Sequence, residues 1–136
     1  MPERLPRVLL VCVENSCRSQ MAEGFARALG ADRVAAWSAG SRPSGKINPR
    51  AVAFMKERGI DLSAQKSKEL TDLPAGVEWR IIVTMGCGDA CPHLPARRRL
   101  DWELPDPTGM GDDEFRSVRD RIEGLVRELL DLASHD

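Results

Sequence analysis

The segment from Cys12 to Ser19 has the residue types and spacing of an oxyanion site with a thiolate nucleophile. Five residues separate Cys12 from Arg18, and Ser19 follows directly. A loop that leads into a helix turns several backbone N–H groups towards an anion, and the helix dipole adds partial positive charge there. The Arg18 guanidinium can donate two parallel hydrogen bonds to a tetrahedral oxyanion. The same positive field favours the reactive thiolate form of Cys12.

Each residue of this loop after Cys12 is a candidate oxyanion ligand. The backbone and side-chain donors come from Val13, Glu14, Asn15, Ser16, Cys17, Arg18 and Ser19. Ser19 can donate a hydrogen bond to the thiolate, and Asn15 is suited to brace the loop through side-chain to backbone hydrogen bonds. We expect Glu14 to point outward and Cys17 to fill space rather than to react.

The surrounding elements predict where this loop lies. Arg7 to Val13 is an apolar run typical of a strand buried on both faces, and Ser19 to Leu29 has helical spacing. Further strands are predicted at 34–37, 79–85 and 97–102, and further helices at 48–59 and 112–133. This order predicts an α/β fold: a four-stranded, mainly parallel sheet flanked by helices, with the anion loop between strand 1 and helix 1. We expect residues 1–136 to form a single domain.

Composition and charge argue against several classes of partner. The 136 residues carry a net charge of −1, so there is no global basic field for nucleic acid or an anionic membrane. No run approaches the ~18 apolar residues of a membrane span, and the N-terminus does not resemble a signal peptide. We therefore expect a cytoplasmic monomer with no nucleic-acid or membrane partner.

Two segments carry a family resemblance. Residues 15–24 are NSCRSQMAEG and residues 37–40 are WSAG. The chain resembles the low-molecular-weight protein tyrosine phosphatase superfamily, and more closely the thioredoxin-coupled arsenate reductases built on that fold. The similarity extends from about Val8 to the last helix. It implies arsenate as the oxyanion substrate and thioredoxin as the reductant, and we expect no cofactor and no catalytic metal.

The resemblance also implies the general acid. The family carries an Asp-Pro pair late in the chain, here Asp106-Pro107, whose aspartate protonates the leaving group. We expect burial near the anion site to raise the pKa of Asp106. Asp101 is the nearest competing carboxylate, whereas Asp112 and Asp113 have the position of helix-start residues.

Two further cysteines favour a reductase. Cys87 and Cys91 directly follow the third predicted strand, whose end is expected to lie beside the end of strand 1. The resemblance implies that Cys12 attacks arsenate, that a Cys12–Cys87 disulfide forms, and that a Cys87–Cys91 disulfide follows and is reduced by thioredoxin. Residues four apart in a helical turn lie ~6 Å apart at Cα, which a disulfide can span.

Some relatives bind potassium through an Asn, a Glu, a Ser and an Asp. Asn15, Glu23 and Ser38 match the first three, and the fourth falls near Lys68. We expect the Lys68 ammonium to replace the metal, so that potassium changes activity little.

A phosphatase acting on phosphotyrosine or small phosphate esters remains an alternative, and it would use Cys12, Arg18 and Asp106. The chain has no tyrosine, whereas the phosphatase branch usually places aromatic side chains beside its pocket. Trp102 or Phe115 could take that place.

A metal-binding module is the alternative from another class. Its ligands would be Cys12, Cys17, Cys87 and Cys91, in a Cys-x4-Cys and a Cys-x3-Cys pair. This hypothesis gives Arg18 no role.

Overall fold

A computed structural model describes residues 5–85 and 94–135 of the chain. Four strands form one sheet in the order β2-β1-β3-β4, with every neighbouring pair parallel. The strands are β1 (Arg7–Cys12), β2 (Ala35–Gly40), β3 (Trp79–Thr84) and β4 (Ala96–Asp101), and the helices are α1 (Arg18–Leu29), α2 (Pro49–Lys56) and α3 (Asp112–His135). The predicted α/β fold is confirmed, and the sheet is parallel throughout.

The side chains of β1 alternate between two apolar cores. Val8 and Leu10 pack among the residues of α1, α2 and α3 on one face of the sheet. Leu9 and Val11 pack on the opposite face, against Trp79 and neighbouring residues. Burial on both faces explains why this strand has no polar alternation in its sequence.

Two predicted boundaries differ from the structure by three residues. The second strand continues to Gly40 instead of ending at Trp37, because its last residues pair in register with the end of β1. The second helix ends at Lys56 and not at Gly59. Gly59 has a φ of +74°, a left-handed conformation that suits glycine in the turn after a helix.

The carboxyl ends of β1, β2 and β3 meet at the start of the loop 13–17. Cys12 pairs with Gly40 of β2, and Val11 pairs with Thr84 of β3. Met85, the residue after β3, donates its N–H to the carbonyl of Val11 at 2.8 Å. The chain leaves β1 for β2 on one side and returns to β3 on the other, so the loop lies at the switch point where such sheets bind ligands. The predicted proximity of strands 1 and 3 is confirmed.

Among the described residues, none of the helices combines the length and the apolar character needed to cross a bilayer.

Candidate active site

A small cavity opens at this edge of the sheet, with a volume of about 170 Å³. It brings the sequence-predicted Cys12, Arg18 and Asp106 together. Its walls are formed by Cys12, Val13, Glu14, Ser16, Cys17, Arg18, Asn48, Asp106 and Thr108. Because the cavity is narrow and has a cysteine and an arginine in its walls, it suits a small tetrahedral oxyanion.

The Cys12 thiol is bonded to the first turn of α1. Its Sγ lies 2.8 Å from Ser19 Oγ, and Asn15 Nδ2 donates to that same hydroxyl oxygen at 2.9 Å. A thiolate has no hydrogen to donate, so the Ser19 hydroxyl is the donor in this contact when Cys12 is ionised. A hydrogen bond of this kind stabilises a thiolate relative to a thiol.

Asn15 is buried beneath the loop and adopts a left-handed backbone conformation, with φ of +49°. Its Oδ1 accepts hydrogen bonds from Lys68 N at 2.7 Å and from Gln20 Nε2 at 2.9 Å. Asn15 and Ser19 do not line the cavity. Their side chains bond to the protein and support the loop from behind, and the prediction of both as oxyanion ligands stays a prediction.

The peptide groups of the loop are oriented by neighbouring segments. Arg42 N donates to the carbonyl of Val13 at 2.8 Å, and Asn48 N donates to the carbonyl of Ser16 at 2.9 Å. In a trans peptide the N–H points opposite to the C=O of the same group. The N–H groups that follow these carbonyls, those of Glu14 and Cys17, therefore point away from Arg42 N and Asn48 N.

Gly40 permits this loop to lie against the end of β2. A Cβ atom at Gly40 would lie 2.5 Å from the Val13 carbonyl oxygen and 2.9 Å from Asn15 N. No side chain can be accommodated at these distances from backbone atoms. The sequence motif at 37–40 thus ends in a glycine because of a close approach to the anion loop.

Cys17 does not compete with Cys12 as a nucleophile. It is buried, and burial together with the nearby negative charges of Asp106 and an ionised Cys12 raises the pKa of the Cys17 thiol to about 12. Cys17 therefore stays protonated at neutral pH. Glu14 is exposed and also contributes to the cavity wall, so the expectation that its side chain points outward stays a prediction.

Arg18 links the anion loop to the segment that carries Asp106. Its Nη1 donates to the carbonyl of Leu104 at 2.8 Å, and its side chain lines the cavity. This bond uses one of the five N–H groups of the guanidinium. The link fixes the plane of the guanidinium beside the cavity.

The carboxylate of Asp106 caps the short 3₁₀ turn that follows it. Thr108 donates to Asp106 Oδ1 from its backbone N–H at 3.1 Å and also from its hydroxyl. Partial burial raises the pKa of Asp106, but the two hydrogen bonds from Thr108 and the charge of Arg18 outweigh it and hold this pKa below 3.8. The prediction of a raised pKa is wrong for the free protein, because Thr108 stabilises the ionised carboxylate.

Asn48 and Thr108 line the cavity but were not predicted as site residues. Asn48 caps α2, since its Oδ1 accepts from Arg50 N at 2.8 Å. The order Asp-Pro-Thr is itself a capping signal and was the available indication for Thr108.

Asp101, the competing carboxylate, accepts from Thr84 Oγ1 at 2.8 Å and lies outside the cavity wall.

Within the described part of the chain, no aromatic side chain lines this cavity. Trp102 and Phe115, the two candidates for an aryl-binding role, are buried in the core between the helices and the sheet. Our suggestion that either serves as a platform for an aryl ring is therefore wrong.

The residues that match the potassium ligands of some relatives do not fit a metal site here. Arg27 Nε donates to Glu23 Oε2 at 2.7 Å, Ser38 Oγ donates to Glu23 Oε1, and Lys68 Nζ lies 3.6 Å from that same Oε1. Two cationic side chains already neutralise the buried carboxylate. A potassium ion at this place would be repelled by the Lys68 ammonium.

Cys87 and Cys91 lie outside the described residues. Within the described ranges, no group of three or more His, Cys, Asp or Glu side chains is arranged to hold a metal ion.

Comparison with known proteins adds independent information. Residues 7–136 match the family model described as low molecular weight phosphotyrosine protein phosphatase. The chain is 40% identical over 128 residues to the glutaredoxin arsenate reductase of Synechocystis sp., which covers 93% of this chain and 97% of that relative.

Solved structures of arsenate reductases are also similar to this chain. A structure described as an arsenate reductase in the phosphate binding state superposes with a TM-score of 0.85 at 38% identity, covering 96% of this chain and 100% of that one. The thioredoxin-dependent arsenate reductase of Corynebacterium glutamicum has a TM-score of 0.79 at 36% identity, covering 98% of this chain and 64% of that one.

Proposed function

We propose that this chain, which belongs to the low molecular weight phosphotyrosine protein phosphatase family, reduces arsenate to arsenite in its oxyanion cavity. In this proposal Cys12 is the nucleophile, Arg18 binds the oxyanion and Asp106 is the general acid. The observation that carries the proposal is the Cys12–Ser19 contact at the wall of a cavity of about 170 Å³. The absence of aromatic residues from the described wall favours an inorganic oxyanion over an aryl phosphate.

The first step is attack of the Cys12 thiolate on arsenic. A sulfur–arsenic bond forms, and a hydroxide leaves as water after it takes a proton from Asp106. The carboxyl must therefore be protonated when substrate is bound, although Asp106 is ionised in the free protein at neutral pH. The negative charge of a bound oxyanion raises the pKa of Asp106, since a nearby like charge disfavours the ionised form. Substrate binding and protonation of the acid are thus coupled.

The second and third steps use two thiols beyond the described residues. The Cys87 thiolate attacks Cys12 Sγ, the sulfur–arsenic bond breaks, and its electron pair remains on arsenic, which leaves as arsenite. The Cys91 thiolate then attacks Cys87, which gives a Cys87–Cys91 disulfide and releases the Cys12 thiolate. The hydrogen bond from Met85 to Val11 supports this relay, because it fixes the end of β3, two positions before Cys87, beside β1.

Thioredoxin is the proposed reductant of the final disulfide. The Corynebacterium glutamicum relative is described as thioredoxin-dependent, and by the family resemblance two resolving cysteines favour thioredoxin over a low-molecular-weight thiol. The Synechocystis relative is described as a glutaredoxin arsenate reductase, so glutaredoxin with glutathione is the alternative electron donor. We propose that the enzyme is a monomer and that it lies in the cytoplasm, where either reductant is present.

Hydrolysis of small phosphate esters is the second candidate function. Family membership and the shared shape and charge of phosphate and arsenate favour it. It would use Cys12, Arg18 and Asp106, with water in place of Cys87 in the second step.

The test is arsenate-dependent oxidation of NADPH in the presence of thioredoxin and thioredoxin reductase. We expect turnover with the wild type and none with Cys12→Ser, Cys87→Ser or Cys91→Ser. Cys17→Ser is the matched control and should retain most activity, because its buried thiol is protonated. A parallel assay replaces thioredoxin with glutathione and glutaredoxin, and it decides between the two reductants.

The opposite pattern would reject the reductase. It consists of no turnover with arsenate and either reductant, together with hydrolysis of a phosphate ester that needs Cys12 but neither Cys87 nor Cys91.

A further inference from the structure

The start of α2 contacts two segments that line the cavity, the anion loop and the segment that follows Asp106. Asn48, the residue that caps α2, donates its N–H to the carbonyl of Ser16 in the anion loop at 2.9 Å. Its side chain in turn accepts from Arg50 N at 2.8 Å. The backbone at the start of α2 is therefore fixed to the loop that would hold the oxyanion.

The side chain of Arg50 extends from this turn to the segment that follows Asp106. Its Nη1 donates to the carbonyl of Met110 at 2.8 Å and to that of Thr108 at 3.4 Å, and its Nη2 donates to Asp112 Oδ1 at 2.8 Å. The guanidinium carbon lies 4.8 Å from the centroid of the Phe115 ring. One planar group thus holds three acceptors and stacks on an aromatic side chain.

Thr108 connects the Arg50 guanidinium to Asp106, the proposed general acid. Its backbone carbonyl accepts from Arg50, while its N–H and hydroxyl donate to Asp106. The position of the Asp106 carboxylate therefore depends on the position of the turn 107–109, which Arg50 holds against α2. Since α2 is bonded to Ser16, the same chain of contacts sets the distance between the acid and the anion loop.

We propose that Arg50 is a positioning residue that holds the Asp106 carboxyl at the anion loop through the backbone of residues 108–110. The inference rests on the proposed function in that Asp106 acts as the acid. Arg50 does not line the cavity, and its hydrogen bonds go to Thr108, Met110 and Asp112, so its effect on Asp106 passes through Thr108. Loss of the guanidinium should lower the rate of the acid-assisted step and leave oxyanion affinity nearly unchanged.

Arg116 is a matched control. Its guanidinium carbon lies 4.9 Å from the centroid of the Phe54 ring, and that of Arg50 lies 5.7 Å from the same ring. Each arginine also pairs with an aspartate of the first turn of α3, Arg116 with Asp113 at 3.1 Å and Arg50 with Asp112. Arg50 alone of the two donates to Thr108 and Met110.

The experiment compares Arg50→Met, Arg50→Lys and Arg116→Met in the arsenate assay. Misplacement of a catalytic group by 1 Å costs up to about 100-fold in rate, so we expect kcat to fall about 10- to 100-fold in Arg50→Met. The dissociation constant of inorganic phosphate, measured by calorimetry, should change by less than about twofold, because the loop and Arg18 bind the anion. Arg116→Met should leave both quantities near the wild-type values.

A double-mutant cycle separates positioning from general destabilisation. In the Asp106→Asn background, Arg50→Met should cause no further loss of kcat, because the group that Arg50 positions is already absent. Equal losses in both backgrounds would overturn the proposal. Full activity of Arg50→Lys would also overturn it, since an ammonium keeps the charge but cannot hold three acceptors in one plane.

A readout without turnover keeps this inference distinct from the proposed function. Hydrogen exchange at the Thr108 and Met110 amides should accelerate in Arg50→Met and not in Arg116→Met. If the wild type does not reduce arsenate, the proposed function fails, and the exchange result still decides whether Arg50 orders this segment. Unchanged exchange in Arg50→Met would reject the positioning role.

Discussion

Ser19 Oγ lies 2.8 Å from Cys12 Sγ and accepts a hydrogen bond from Asn15 Nδ2 at 2.9 Å. When Cys12 is ionised its sulfur can only accept, so the Ser19 hydroxyl donates to it while the hydroxyl oxygen still accepts from Asn15. All three residues are buried, and the contact is therefore shielded from competing water. The Ser19 hydroxyl therefore contacts the sulfur from the first turn of α1, on the buried side of the proposed nucleophile.

Replacement of Ser19 by Ala should lower the rate at which Cys12 acts as a nucleophile, because the hydrogen bond to its sulfur is lost. A hydrogen bond to a charged group contributes roughly 1.5–3 kcal/mol, which corresponds to about a tenfold loss or more. The reactivity of Cys12 is measured as its rate of alkylation by iodoacetamide, which is monitored by mass spectrometry of the Cys12 peptide. Ser44→Ala is the control, because the Ser44 hydroxyl is exposed and donates only to the nearby Lys46 carbonyl. Equal alkylation rates for Ser19→Ala and the wild type would contradict the assignment.

The sequence was sufficient to predict those parts of the site that depend on residues close together in the chain. A cysteine that ends a buried strand, followed by Arg-Ser at a helix start, predicted the loop and the meeting of Cys12 with Arg18. The pKa of Asp106 was not predictable in the same way, because it depends on how the Thr108 side chain turns back onto the carboxylate. Arg50 was missed since its partners at 108–112 lie about 60 residues away in the sequence.

Replacement of Asp106 by Asn should lower the rate and tighten anion binding. Loss of a general acid typically costs about 100- to 10,000-fold in rate. Because Asp106 is ionised in the free protein, its removal also abolishes a negative charge beside the cavity, so phosphate should bind more tightly at neutral pH. Single-turnover kinetics and calorimetry measure the two effects.

Asp101→Asn is the control for the acid, since Asp101 lies outside the cavity wall. A larger rate loss for Asp101→Asn than for Asp106→Asn would transfer the acid role to Asp101.

Gly40→Ala should weaken oxyanion binding without unfolding the protein. The added Cβ would lie 2.5 Å from the Val13 carbonyl oxygen, so the anion loop must move away from β2. We expect phosphate affinity to fall about tenfold or more, a factor that 1.4 kcal/mol of lost binding produces. Gly124→Ala in α3 is the matched control: nothing lies within 4 Å of its added Cβ, and it should stabilise the helix by about 0.5–1 kcal/mol. Phosphate affinity equal to wild type in Gly40→Ala would show that the loop does not depend on this close approach.

Potassium should have little effect on the wild-type protein, because Lys68 and Arg27 already neutralise Glu23. The thermal midpoint and the arsenate KM should be the same in potassium and sodium chloride at equal concentration. Lys68→Asp removes the ammonium and adds a carboxylate beside Glu23, so potassium should stabilise this variant more than sodium does. Lys66→Asp makes the same charge change at an exposed position and should show no such preference. A clear potassium effect on the wild type would reject the replacement of the metal by Lys68.

The stability of the packing between α2 and α3 should depend on pH through Glu57. Arg116 donates to both carboxylate oxygens at 3.1 and 3.0 Å, and the buried Arg119 donates to Oε1 at 2.6 Å. These hydrogen bonds, first from Arg116 and then from Arg119, lower the pKa of Glu57 from 4.5 to about 2. A lowered pKa in the folded state stabilises the fold above pH 4.5, and this contribution is lost as the pH falls from 4.5 to about 2.

Glu57→Gln should therefore unfold at a lower urea concentration than the wild type at neutral pH, and the difference should shrink steadily below pH 4.5. High salt at neutral pH should also reduce the difference, because these pairs are partly exposed and are screened. Urea unfolding of both proteins across this pH range measures the effect. A difference of constant size from neutral pH down to about pH 2 would mean that the glutamine disturbs packing, and that the ionised carboxylate contributes nothing.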